Sequence, residues 1–242
     1  MKNKLTFFFL TCFSFILYSQ SSGVVTYGQK IIIPNYTNSL KKSEFATFYN
    51  KEKIKMSESS KNIIYKLQFN KHAASFTSEK HLSIDDFEDD VKYAMLHVRG
   101  DGTYYFSLES GISLWDHDVF GERVILVDTI SPKDWTITKE TKMIDKYMAV
   151  KAKKNKSLNN GKIIEVVAWF APEITNNYGP IGYYGLPGLI LEIHEKDFII
   201  YAKNIKFKKK APKINKPSKG TYMGEKEYKI YVDKAAKNFI AN

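Results

Sequence analysis

The stretch YYGLPGLILEI, residues 183–193, decides how the chain is read. Leu186 precedes a proline and is driven towards extended geometry. Pro187 suits the second position of a type II turn, and Gly188 suits the third, where φ is positive. The chain therefore arrives extended, reverses, and launches Leu189 to Ile193 as a strand. An unbroken alternation puts Leu189, Leu191 and Ile193 on one face and Ile190 and Glu192 on the other, and a slip of one residue would exchange them.

Working outward, most segments repeat with period two. IIYKLQF (63–69) puts Ile63, Tyr65, Leu67 and Phe69 on one face, and AASFTSE (73–79) follows as its partner. SGVVTYGQKIII (22–33) is a first strand ended by Pro34. YAMLHV and TYYFSL, around Gly100-Asp101-Gly102, are expected to form a hairpin. ERVILVD is a further strand, and DWTITKETKMIDKYMAVKAK supplies two more. KIIEVVAWFAP (162–172) is apolar on both faces and reads as a central strand, and LILEIHEKDFIIYAKNIKF as two strands joined at residues 195–197. A short helix over 44–50 is weakly indicated. FKKKAPKINKPSKG is a basic linker, and EKEYKIYVDKAAKNFI has helical spacing. The expected fold class is mainly β (α+β): a curved antiparallel sheet with a C-terminal helix. The expected organisation is a signal peptide over 1–20, a β domain over 21–207, a linker over 208–224 and a helix over 225–242.

The first residues carry Lys2 and Lys4, an apolar run to Tyr18, then small polar residues, which is the order of an export signal cleaved near residues 19–21. The run is short for a membrane span. A lipoprotein would instead need Cys12 as its modified residue, with Thr11 a poor neighbour. Cys12 is the single cysteine, so the exported chain holds no thiol or disulfide. The net charge of +11 comes almost wholly from lysine. Such an excess fits a solvated surface or an anionic partner better than base readout, and nucleic acid is not an expected partner.

The segments VVAWFAPEI and GPIGYYGLPGLILEI, preceded by WTITKETKMIDKYMAV and by GVVTYGQKI and the Ser-Phe of AASFTSE, resemble the GLPGLI family of exported proteins of Gram-negative bacteria. The family is named for the hexapeptide found here at Gly185, Leu186, Pro187, Gly188, Leu189 and Ile190. One departure is that members often carry cysteine near Tyr147, where this chain has Met148 and Ala149. The resemblance implies no activity or catalytic residues. In architecture the pattern is similar to the half-barrel of the periplasmic lipoprotein carriers.

The other candidates carry bland readings. His72, His81, His97, His117 and His194 show no metal-ligand spacing. Asp116-His117-Asp118 reads as a polar turn, Asp85 to Asp90 as an acidic helix start, and Arg99-Gly100-Asp101 as a hairpin turn rather than an adhesion tripeptide. No Gly-x-Ser-x-Gly elbow is present. We therefore read a non-enzymatic, exported binding or accessory protein, monomeric and not membrane-spanning, without cofactor or metal. Its expected ligand is apolar or peptidic. The ligand is taken on the curved sheet near the loop 172–188 and lined by Trp169, Tyr178, Tyr183, Tyr184 and Leu186. The expected partners are a lipid, a peptide or an envelope protein. The alternatives are docking on an outer-envelope protein and, further off, hydrolysis.

Overall fold

A computed structural model describes residues 22–33, 44–79, 89–129, 134–158 and 161–241. The expected export segment, Cys12, His81 and the start of the acidic run lie outside the described residues. In chain order the elements are β1 (Gly23–Ile31), α1 (Glu44–Ser60), β2 (Ile64–Phe69), β3 (Ala73–Ser78), α2 (Asp89–His97), β4 (Thr103–Ser107), β5 (Ile112–Val119) and β6 (Glu122–Thr129). They continue with β7 (Thr136–Ile144), β8 (Tyr147–Ser157), β9 (Ile163–Ala171), β10 (Leu189–Glu195), β11 (Phe198–Phe207), β12 (Thr221–Gly224) and α3 (Glu225–Ala241).

All twelve strands form one open sheet in the order β12-β6-β5-β4-β3-β2-β1-β11-β10-β9-β8-β7. Every pairing is antiparallel except β12 with β6. Among the described residues no ladder joins β7 to β6 or β12, so the sheet does not close. It nevertheless curls. β6 and β7 lie near opposite ends of the order, yet only residues 130–135 connect them, and the seven steps from Thr129 to Thr136 reach at most roughly 25 Å. Tyr184 bridges the two ends: Trp135 Nε1 donates to its carbonyl (2.9 Å), and its hydroxyl donates to the Thr129 carbonyl (3.4 Å).

The inner face is aromatic. Tyr65 stacks on Phe76, and Phe76 meets Tyr27 and Tyr104 edge-on. These rings have no exposure above 5 %. Helices α1 and α2 pack together, and Gln29 joins α2 to the sheet by donating to the Ala94 carbonyl while accepting from the Tyr65 hydroxyl. Lys53 of α1 and His97 of α2 both reach Asp197 in the β10–β11 turn, at 3.2 and 3.1 Å. The hydrogen bond from His97, with the charge and hydrogen bond of Lys53, holds the Asp197 carboxyl down at about 2.

Three expectations are corrected. YAMLHV is not a strand but α2: Ala94, Met95 and Val98 are buried at helical spacing, while Tyr93 and Leu96 are exposed. Arg99-Gly100-Asp101 therefore links a helix to a strand. Gly100 is needed there because a Cβ would lie 2.2 Å from the Tyr65 hydroxyl. The helix expected over 44–50 runs on to Ser60, and Asp116-His117-Asp118 lies within β5, the turn falling at Phe120-Gly121.

The central segment needs two further corrections. Pro187 does not centre a type II turn. The Gly188 N–H donates to the Leu186 carbonyl (2.8 Å), a tighter three-residue reversal, and the Leu189 N–H goes to the Ile174 carbonyl (3.1 Å). The alternation is also broken, because the β10–β9 register shifts between Ile190 and Glu192. Leu191 is the extra residue, so Ile190 (opposite Phe170) and Ile193 (opposite Ala168) share the inner face. Leu189, Ile190 and Leu191 are all fully buried. The expected C-terminal helix is present as α3, and the linker contains the unforeseen β12.

Candidate functional site

The residues expected to line a site are divided by the sheet. Trp169 pairs with Lys151 and Glu192 on the outer face, its ring beneath the ammonium groups of Lys142 (4.5 Å) and Lys151 (5.8 Å). Leu186 and Tyr178 are buried on the inner side, Tyr178 against Phe106 with centroids 6.0 Å apart. The loop 172–188 thus folds inward and fills part of the curl. Gly185, at φ +93°, lets its N–H reach the Asn177 carbonyl (2.8 Å). Tyr183 is also buried, and only Tyr184 keeps partial exposure. The three tyrosines do not form an outer lip.

Tyr183 instead leads to a polar centre that sequence reasoning missed. Its hydroxyl donates to Glu195 Oε1 (2.6 Å). The same oxygen accepts from Arg99 Nη2 (2.7 Å) and Lys156 Nζ (3.0 Å), and Lys156 also reaches Oε2 (3.1 Å). The Glu195 side chain is only 6 % exposed. Burial alone would raise its pKa, but Arg99, Lys156 and the hydroxyl outweigh it and hold the carboxyl below its usual value. Lys156 pays for this arrangement: desolvation and the nearby Arg99 bring it down to about 8 despite its contact with Glu195.

Lys154 and Lys156 both project inward, because Lys154 opposes Val166 and Lys156 opposes Ile164. Lys154 lies over the rings of Trp135 (5.2 Å) and Tyr183 (5.3 Å). No described carboxylate lies within ion-pair distance of it. Burial lowers its pKa even though Asp134 and Asp128 act in the opposite direction.

Beyond Arg99 the centre continues along β4 and β5. The Tyr104 hydroxyl donates to the Arg99 carbonyl (2.8 Å), and Trp115 Nε1 donates to the Asp101 carbonyl (3.0 Å). Tyr104 and Trp115 stack with centroids 5.4 Å apart, and Trp115 stacks on His117 at 3.6 Å. His117 Nε2 lies 2.8 Å from the Tyr228 hydroxyl, which ties α3 to this row of rings. Burial raises Asp101 to about 6 and lowers His117 to about 4.

His117 supplies a pH prediction. Its folded value lies below the ordinary 6.5, so the unfolded chain binds the extra proton first and stability falls as pH drops from 6.5 towards 4. At pH 4.5 the loss is expected to reach about 2 kcal/mol. Thermal unfolding of a His117→Phe variant should show a smaller acid loss than the wild type over the same interval.

The site holds one carboxylate in full use and a second, Asp101, near Arg99. Asp116 and Asp118 cannot join His117 in binding a metal, because neighbours on a strand point to opposite faces. Asp116 is taken by Arg123 through two 2.7 Å bonds. Among the described residues no group of three or more His, Cys, Asp and Glu side chains is placed to hold a metal ion, and no helix is long and apolar enough to cross a membrane.

A family model described as "Protein of unknown function (Porph_ging)" matches residues 153–192, from β8 through most of β10. That interval holds Lys154, Lys156, Tyr183 and the hexapeptide. The fold is similar to two solved structures of PNGF-II. One, in space group C2, has a TM-score of 0.53 at 14 % identity; the other, in P21, has 0.50 at 15 %. Each likeness covers 89 % of this chain, which spans about a third of the PNGF-II chain (33 % and 34 %). At these identities the likeness is one of fold. No curated protein matches the sequence.

Proposed function

We propose that the protein is an exported, envelope-associated binding module akin to the GLPGLI proteins, and that it takes its ligand on the inner face beside the loop 172–188. The observation that carries this reading is the cluster of rings and cations around Glu195, which we read as a recess for the ligand. Trp135 and Tyr184 present aromatic surface there, the Tyr183 ring lies beneath Lys154 and Lys156, and Arg99 and the two lysines supply polar handles. A largely apolar wall with a few fixed polar groups is the usual form of a small-ligand site. The inward-folded loop favours a ligand that enters in part, such as one end of a peptide, over a long acyl chain laid along the whole curl.

Acid–base catalysis is less well supported. Asp101 and Glu195 have values pushed apart, which is a pattern of acid–base pairs. Yet both Glu195 oxygens already accept hydrogen bonds from resident side chains, which leaves it a poor base. One observation favours a docking role as a second reading. β7 pairs only with β8 among the described strands and exposes nine residues of edge, flanked by Met143 and Met148 at 63 % and 58 % exposure. Such an edge accepts an added strand.

Native mass spectrometry of the protein recovered from its own host envelope tests the proposal. A small bound species whose occupancy falls in a Trp135→Ala variant is the expected result. An empty chain complexed with an envelope protein would replace ligand capture with docking.

A further inference from the structure

We propose that the recess recognises a single oxyanion carried by the ligand, seated between Lys154, Lys156 and Arg99. This rests on the recess being the binding site and specifies what it binds.

The argument is one of donors and charge. Three cations converge, and among the described residues Glu195 is the one carboxylate in direct contact with any of them. Glu195 Oε1 already accepts from three donors and Oε2 from Lys156, and neither oxygen lies within ion-pair distance of Lys154. Arg99 spends Nη2 on Glu195, carries four other N–H donors, and has its side chain 37 % exposed. Lys154 rests on two ring faces, which attract a cation but accept no strong hydrogen bond.

Other acids stand further off. Asp101 lies beyond Arg99, and Asp128 and Asp134 are exposed residues at the Lys154 side. Their combined field does not restore either lysine to its ordinary value. An arriving oxyanion would be reached by Lys154, would relieve the repulsion between Arg99 and Lys156, and would lie against Trp135. Carboxylate, phosphate and sulfate share this chemistry, because each offers several oxygens to charged N–H donors.

A surface lysine excess also attracts anions, so location must be tested together with affinity. Isothermal titration with inorganic phosphate, sodium sulfate and N-acetyltyrosine, at low and at physiological salt, separates the three sources. At least one probe should bind, and binding should weaken about tenfold in Lys154→Gln and in Lys156→Gln, the loss of one charge-assisted hydrogen bond. Lys154→Arg, which keeps the charge, should retain binding, and a linker variant with Lys208, Lys209 and Lys210 all changed to glutamine should match the wild type. Unfolding midpoints establish that each variant is folded.

Binding lost in the linker variant, wild-type affinity in both Lys154→Gln and Lys156→Gln, or no heat with any probe would overturn the proposal. If the species retained in native mass spectrometry depends on Trp135 but not on Lys154 or Lys156, the recess stands as the site and the oxyanion is wrong. If neither residue matters, the recess itself is wrong.

Discussion

Gly188→Ala is expected to prevent stable folding or to cost at least about 4 kcal/mol, the range reached by severe backbone and packing conflicts. A Cβ at this position would sit 2.3 Å from the Ala171 carbonyl oxygen and 2.7 Å from its carbon. Neither is the end of a flexible side chain, and both belong to the end of β9, against which β10 begins. The backbone φ of +156° adds strain for any L-residue. Relief would require moving Leu189, whose N–H is bonded to Ile174 and whose side chain is fully buried. Pro187→Ala provides the contrast. Pro187 is exposed, so its loss should cost about 1 kcal/mol, chiefly through the freer unfolded chain. Chemical denaturation of both variants measures the difference.

Glu195→Ala carries the second large effect. It leaves Arg99 and Lys156 facing each other without their shared carboxylate and leaves the Tyr183 hydroxyl without its acceptor. Breaking a buried pair from one side costs about 3–5 kcal/mol, and the lower end applies because Arg99 is partly solvated. A Glu195→Ala, Lys156→Met double variant should recover part of that loss, and a double-mutant cycle isolates the coupling. The pH dependence follows from the signs. Glu195 has a folded value below 4.5, so its contribution is present above that pH and is lost as pH falls through the folded value. Lys156, lowered from 10.5 to about 8, acts in the opposite range: the unfolded chain holds its proton longer, so stability rises between pH 8 and 10.5. The Lys156→Met variant should lose that rise.

How far the sequence reveals this arrangement depends on the range over which each feature is set. β2 and β3 are legible because Tyr65, Leu67 and Phe69 alternate with polar neighbours and need only their own sheet face to explain them. α2 is not, because YAMLHV satisfies period two and period 3.6 almost equally over six residues. Burial of Ala94, Met95 and Val98 decides between them, and it comes from distant packing. The bulge at Leu191 leaves no local mark, since all three residues of Leu189-Ile190-Leu191 are apolar.

The recess was legible only in fragments. Tyr183 stands out from its loop as a ligand-lining candidate. Glu195 falls in the expected turn, yet it lies two residues beyond Ile193, so alternation carried two residues further puts a carboxylate on an apolar face, a signal for a cation. Lys154 and Lys156 alternate with Lys153 and Asn155 on a strand whose inner parity is set by Ala152, the corresponding clue on the other side. Arg99 could not be matched to them, because it is 96 residues away from Glu195 and belongs to a turn that follows an unrecognised helix. The chain has just two arginines, Arg99 and Arg123, and each holds a carboxylate that is no more than 6 % exposed.

Photocrosslinking in the host envelope tests the central claim most directly, with benzoylphenylalanine placed in turn at position 184, beside the recess, and at position 169, on the outer face of the same sheet. Adducts from Tyr184 with little or none from Trp169 are predicted, and they should weaken in the Lys154→Gln background. Adducts from Trp169 alone would move the functional surface to the outer face and contradict the account.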